Sequence, residues 1–240
     1  MVPPAQASSA LAAIEAADPD RLYRERSDLQ TAHAAEAIWA ERLARDPDDF
    51  ESAWKLARAR HFLGGRIAER DGRAMFEAGM DAARRAIELQ PERPEGHFWL
   101  AANMGGLAET QGIRTGLRYR TPIREALERV LALDPAYQQG SADRALGRWY
   151  FRVPGLFGGS KEKSLEHLQR SLTYNPQSTA SNFFLAETLF SLHRLDEAIA
   201  ALHRVIDAPL DPDWTAEDLE FKQRAEYRLK GLTWKQSRPR

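Results

Sequence analysis

Apolar residues recur at three- and four-residue spacing through long windows of this chain, and each window closes on a polar turn holding proline. "AARRAIELQP", "REALERVLALDP", "KSLEHLQRSLTYNP" and "DEAIAALHRVIDAP" all carry the period of an amphipathic helix. Proline cannot continue a helix and it restrains the residue before it, so each one marks a stop. The prolines are Pro47, Pro91, Pro135 and Pro176, followed by Pro209 and Pro212. Their intervals are 44, 44, 41 and then 33 or 36 residues. A new helical pattern starts after each stop, as in "FESAWKLARARHFL" and "STASNFFLAETLFSL". Strict apolar–polar alternation, the mark of strands, is nearly absent. The pattern predicts helix A, loop, helix B, proline, repeated along the chain.

A period near 34 in which helix B ends on a small residue, a large residue and a proline is the tetratricopeptide (TPR) cadence. The last unit fits without a gap. Leu185 and Ala186 stand where the motif has Leu-Gly, and Ala198 and Leu202 take the small and large positions of helix B. Earlier units are longer by about 5 to 10 residues, an excess we place between helices A and B. The predicted fold is all-α, a TPR-like solenoid of antiparallel hairpins with enlarged A–B turns and a C-terminal capping helix. The bland alternative is a generic helical array. Residues 1–18 are expected to be a tail or frayed helix, 19–236 a single TPR-like domain, and 237–240 a basic tail. Leu22 to Arg45 reads as a hairpin or one long helix, and Thr215 with Asp218 as a capping start for the last helix.

"GRWYFRVPGLFGGSKEKS", residues 147–164, imitates a phosphate-binding loop. The motif needs four residues between its first Gly and a Gly-Lys-Ser/Thr. Here Gly155 is followed by Gly158, Gly159, Ser160 and Lys161, so spacing and order both fail. Leu146 and Gly147 instead supply the Leu-Gly pair of the third helix A, "RWYFRV" finishes that helix, and "PGLFGGS" is a wide turn with Ser160 as the next N-cap.

Composition narrows the chemistry. Lys plus Arg number 34 against 35 for Asp plus Glu, a net charge of -1 with no basic excess, so nucleic acid is not an expected partner. There are no cysteines, which removes disulfides, thiolate metal sites and cysteine nucleophiles. No apolar run reaches the roughly 18 residues of a membrane span. The N-terminus "MVPPAQASSALAAIEAADPD" lacks the parts of an intact signal peptide. The expected location is cytoplasmic for the chain as given and periplasmic if a signal has been removed. Histidines at 33, 61, 97, 167, 193 and 203 form no metal-ligand pattern. Carboxylate pairs such as Asp48 and Asp49 belong to turns, where they cap helices. Nothing combines nucleophile, base and oxyanion donors, so no enzyme, metal or cofactor is expected.

Counting from the Leu-Gly frame places one side of each helix A on a concave face. Lys55 and Phe62 come from the first unit and Phe98 from the second. Arg144, Arg148 and Phe151 come from the third, and Phe183, Glu187 and Phe190 from the fourth. Apolar walls with a few placed charges suit a small molecule or a peptide. Arg144 or Arg148 would take a carboxylate through a bidentate fork. The alternative for each is a core or solvated position. In "GHFWLAANM", His97, Trp99 and Asn103 are secondary candidates, with a satisfied structural histidine and an interhelical tryptophan as the plainer assignments.

Two families share these residues. "PEGHFWLAANMGGLAE", "LGRWYFRVPGLFGGSKEKSLEHL", "DPDDFESAWKLARARHFLG" and "AARRAIELQP" resemble the TPR-containing T component (TatT) of bacterial TRAP-type transporter systems, over roughly residues 20–210. "LGRWYF" and "TAEDLEFKQRAEYRL" resemble the regulator-of-microtubule-dynamics family of TPR-like proteins. The first resemblance implies a groove that handles a hydrophobic carboxylate together with a solute-binding protein. Those proteins are typically exported lipoproteins, and this sequence shows neither signal nor lipid-bearing Cys. The alternative is a TPR scaffold that takes a peptide or helix of a partner protein, with self-association left open.

Overall fold

The computed structural model describes residues 18–236; the expected tail over 1–17 and the basic end at 237–240 lie outside the described residues. Among the described residues there are helices and no strands. Two compact units divide the chain, Met1–Thr110 and Gln111–Arg240.

The first unit holds α1 (Pro19–Arg24), α2 (Leu29–Arg45), α3 (Phe50–Gly64), α4 (Glu69–Leu89) and α5 (Pro94–Thr110). The second holds α6 (Ile113–Leu133), α7 (Tyr137–Arg152), a 3-10 turn (Gly155–Phe157), α8 (Lys161–Tyr174), α9 (Thr179–Ser191), α10 (Leu195–Asp207) and α11 (Thr215–Gln236). The prolines act as stops: α2, α4, α6 and α8 each end two residues before one. The intervening Asp46, Gln90, Asp134 and Asn175 are non-helical and give their amides to the carbonyl four residues back. Caps begin the next helices, with Asp49 accepting from Ser52 N and Ser178 accepting from Ser181 N.

Leu185, Ala186, Ala198 and Leu202 are buried together in one core with Leu168, Phe183 and Val205. This is the small-and-large packing the repeat demands. At Gly147 a Cβ would lie 2.5 Å from Leu168 Cγ, so this glycine sets the close approach of α7 and α8.

Two local expectations change. The extra length of the first repeat is not in its turn, which is only residues 65–68; α4 and α6 are instead 21-residue helices. An enlarged turn does join α7 to α8. Of the two readings of Leu22–Arg45, the structure has two helices, α1 and α2, and not one long one; Asp28 caps α2 by accepting from Gln30 N. Thr215 and Asp218 do not form a capping pair. Asp218 is buried, with Oδ1 accepting from Thr179 Oγ1 (2.5 Å) and Oδ2 from Asp211 N (2.8 Å). It ties α11 to α9 instead of capping its own helix.

Candidate functional site

In the second unit, α7 carries Arg144, Arg148 and Phe151, α9 carries Phe183, Glu187 and Phe190, and α11, which held no predicted site residue, packs beside α9. Pairings climb α9 and α11 in step: Thr179 with Asp218, Phe183 with Phe221 and Arg224, Glu187 with Arg228. Arg148 on α7 donates to Glu187 Oε2 at 2.7 Å, and Arg228 donates to Oε1 at 3.1 Å. Both Arg148 and Glu187 are mostly buried, so this charged pair is more than a surface contact. The Arg148 guanidinium also sits 4.8 Å from the Phe184 ring and 5.9 Å from that of Phe151. Arg224 covers Phe183 at 4.4 Å, and Phe184 meets Phe221 edge-on at 5.5 Å. Lys161 stands 3.8 Å over Phe151 and donates to that residue's carbonyl. Burial, with the guanidinium groups of Arg152 and Arg148 adding to it, lowers the Lys161 pKa. Phe151, Phe184, Phe190 and Phe221 are half-buried. The result is an aromatic surface crossed by cations, with Glu187 and the buried Asp218 as its acids.

Arg144 differs from its neighbours. It lies one helical turn before Arg148 and is half-buried, yet it makes no hydrogen bond or ion pair among the described residues. Burial pushes its pKa down to about 10, with the Asp218 carboxylate pulling the other way. That carboxylate is already taken by Thr179 and by the Asp211 amide. Arg144 is therefore a charged fork without an acceptor.

The first unit uses its predicted residues differently. Phe62, Phe98 and Phe183 are only 3%, 8% and 1% exposed, so none of the three lines an open surface. Phe62 lies under Tyr23 and the Arg26 guanidinium, from α1 and the bend after it. Phe98 packs edge-on against Trp99 at 5.0 Å, and Phe183 is covered by Phe221 and Arg224. Lys55 is bound to Asp20 at 2.9 Å. His97 donates from Nε2 to the Pro91 carbonyl at 2.9 Å, a satisfied structural histidine. Trp99 is buried and its indole N–H finds no acceptor. Asn103 donates to the carbonyls of Ala57 and Trp99 while its Oδ1 is unpartnered.

Four consecutive amides of the glycine turn, Phe157 to Ser160, are already engaged within the protein. Phe157 N and Gly159 N donate to Pro154 O, Gly158 N to Gly155 O, and Ser160 N to Tyr150 O. A Cβ at Gly159 would overlap Val153 O, so that glycine answers to backbone packing. Ser160 Oγ accepts from Lys163 N at 3.2 Å as the N-cap of α8. Among the described residues, no cluster of His and carboxylates could hold a metal, and no helix is long and apolar enough to cross a membrane.

Phe184, Phe221, Arg224 and Lys161 were missed as site residues. Phe221, Arg224 and Arg228 at i, i+3 and i+7 share one face of α11, a readable stripe hidden by the generally polar look of that helix. Tyr23 and Arg26 left no periodic signal, because α1 is only six residues long and Arg26 lies in the bend after it; Arg58, three residues after Lys55 and four before Phe62 on α3, was readable from spacing and was passed over.

The model of the family described as regulator of microtubule dynamics protein 1-3 matches residues 16–233. Regulator of microtubule dynamics protein 1 of Bos taurus is 25% identical over 208 residues, covering 79% of this chain and 64% of that protein. Regulator of microtubule dynamics protein 3 of Bos taurus is 29% identical over 137 residues, covering 57% of this chain and 29% of the relative. The chain thus spans less than two thirds of the length of these relatives. A thermophilic TPR protein of Thermus thermophilus superposes with a TM-score of 0.67 at 21% identity, covering 88% of this chain and 97% of that one. MamA of Desulfovibrio magneticus gives a TM-score of 0.52 at 18% identity, covering 80% and 96%. These two share the TPR fold. Of the two resemblances in the sequence, the family match supports the regulators of microtubule dynamics.

Proposed function

Because the chain belongs to the regulator of microtubule dynamics protein 1-3 family, we propose that it is a non-enzymatic interaction scaffold. Its second unit takes an acidic segment of a protein partner on the face formed by α7, α9 and α11. The observation that carries this reading is Arg144, a half-buried guanidinium with no acceptor on a face of phenylalanine rings. A partner carboxylate would fill the vacant fork, while Phe151, Phe184 and Phe190 offer cover to an apolar neighbour. The relatives' name puts microtubule-linked proteins first among partners to screen.

Fluorescence anisotropy with short peptides that set Glu or Asp beside Leu or Phe tests this. A charge-assisted pair contributes about 1.5–3 kcal/mol, so Arg144→Ala should weaken binding by about 10- to 100-fold. Arg144→Lys should fall between, since a point charge replaces a fork. Equal binding by wild type and Arg144→Ala sinks the reading. The same guanidinium favours a second reading, suggested by the transporter-component resemblance: a small hydrophobic carboxylate handled with a solute-binding protein. Aliphatic or aromatic carboxylates would then raise the melting temperature of the wild type and not of Arg144→Ala.

A further inference from the structure

The face of α3 in the first unit is already occupied by a piece of its own chain. Asp20 on α1 accepts from Lys55 at 2.9 Å and lies 3.5 Å from the Arg58 guanidinium. Three residues on, Tyr23 is buried beside Trp39 and edge-on to Phe62, with ring centroids at 5.7 and 6.2 Å. The Arg58 and Arg26 guanidiniums stand 4.1 and 4.5 Å from the centre of its ring. Lys55 and Phe62 are positions the repeat assigns to its ligand-facing side. A six-residue helix is too short to hold itself together in water, so α1 owes its shape to this docking.

The fit is incomplete. Arg58 Nε is buried with no hydrogen-bond partner, and its contact with Asp20 is long. The Asp20 side chain is 38% exposed, so the charged half of the contact opens to solvent. A carboxylate on a longer stem would reach further into the clamp.

We infer that this face is a docking site for a short helix bearing an acidic residue and, three positions later, an aromatic one. In this chain α1 is its built-in occupant, displaced when a partner of the same chemistry binds. The inference concerns the first unit and does not depend on the reading of Arg144 in the second.

A fluorescein-labelled peptide of residues 17–27, ADPDRLYRERS, is the probe, titrated by anisotropy into two full-length chains. One is unmodified; the other carries Asp20→Ala and Tyr23→Ala, which loosen α1. A segment on a short tether competes at an effective concentration in the millimolar range, so the altered chain should bind the peptide about 100-fold more tightly. Replacing the second of the peptide's two aspartates, Asp20, by glutamate should strengthen binding, and replacing its tyrosine by alanine or mutating Lys55→Ala in the altered chain should remove it. Equal affinity for the two chains, or no binding to an altered chain whose circular dichroism is intact, overturns the inference. Should the double variant fail to fold, Asp20→Ala alone changes a partly exposed carboxylate and should still give a gain of several-fold; no gain there is equally fatal. A concentration-dependent dimer of the unmodified chain, abolished by Tyr23→Ala, would make the occupant a second copy's α1 and overturn the foreign partner.

Discussion

Replacing His61 by phenylalanine should remove one specific component of acid sensitivity. The imidazole lies 5.9 Å from the Phe76 ring and 5.8 Å from the Trp99 ring, with Nδ1 sealed from solvent and unpartnered. Burial, with the Arg66 guanidinium adding to it, lowers its pKa from 6.5 to about 4; the Ala102 carbonyl pulls the other way. The folded chain therefore keeps this ring neutral at pH 5, where the unfolded chain has already bound a proton. The state that binds more protons gains as pH falls. Full stability is present above about 6.5 and is lost on the way down to about 4. Each tenfold change in proton affinity is about 1.4 kcal/mol. The whole window thus amounts to about 3 kcal/mol, and the partial exposure of the residue trims it to about 2–3 kcal/mol. Phenylalanine keeps an aromatic ring between Phe76 and Trp99 and cannot titrate. Urea denaturation of both chains at several pH values, with equal m-values as a control, reads the difference. The gap between them should move by about 2–3 kcal/mol in favour of the variant as the pH falls. Profiles that stay parallel within about 0.5 kcal/mol refute the reasoning.

Two further substitutions test the second unit. Gly159→Ala drives a Cβ into Val153 O, a backbone contact that cannot give way locally; urea midpoints should show a loss of about 3 kcal/mol or more. Arg144→Met keeps the apolar stem and removes a charge whose pKa burial has lowered to about 10. Below that pH the group is charged folded and unfolded, so its cost is constant. The variant should gain about 1–2 kcal/mol, flat across pH 5–9, while losing peptide capture.

Helix order was legible because its cause is local. Pro47, Pro91, Pro135 and Pro176 end helices wherever they stand, and Leu185, Ala186, Ala198 and Leu202 fix the hairpin packing through their sizes alone. Ser160 announced a cap and became one. The site was less legible, because exposure on a helix face is decided by whatever packs over it. Phe62 and Lys55 sit at the repeat's ligand-facing positions, yet Tyr23, Arg26 and Asp20 cover them from 35 or more residues away. Phe183 occupies a groove position and is closed over by Phe221 and Arg224. Arg144 and Arg148 are indistinguishable by spacing; only the reach of Glu187 leaves one engaged and the other without an acceptor. The length of α4 misled for a related reason. A longer B helix and a longer loop give the same interval between prolines, and only burial along the helix tells them apart.

The turn over 153–160 closes upon itself, its amides from Phe157 to Ser160 engaged with its own carbonyls and that of Tyr150. It also holds Leu156 outward, 90% exposed. Ordering a residue's backbone costs roughly 1–2 kcal/mol, and here folding has already met that cost. Whatever covers this leucine gains nearly the full free energy of withdrawing it from water, with little lost entropy to set against it.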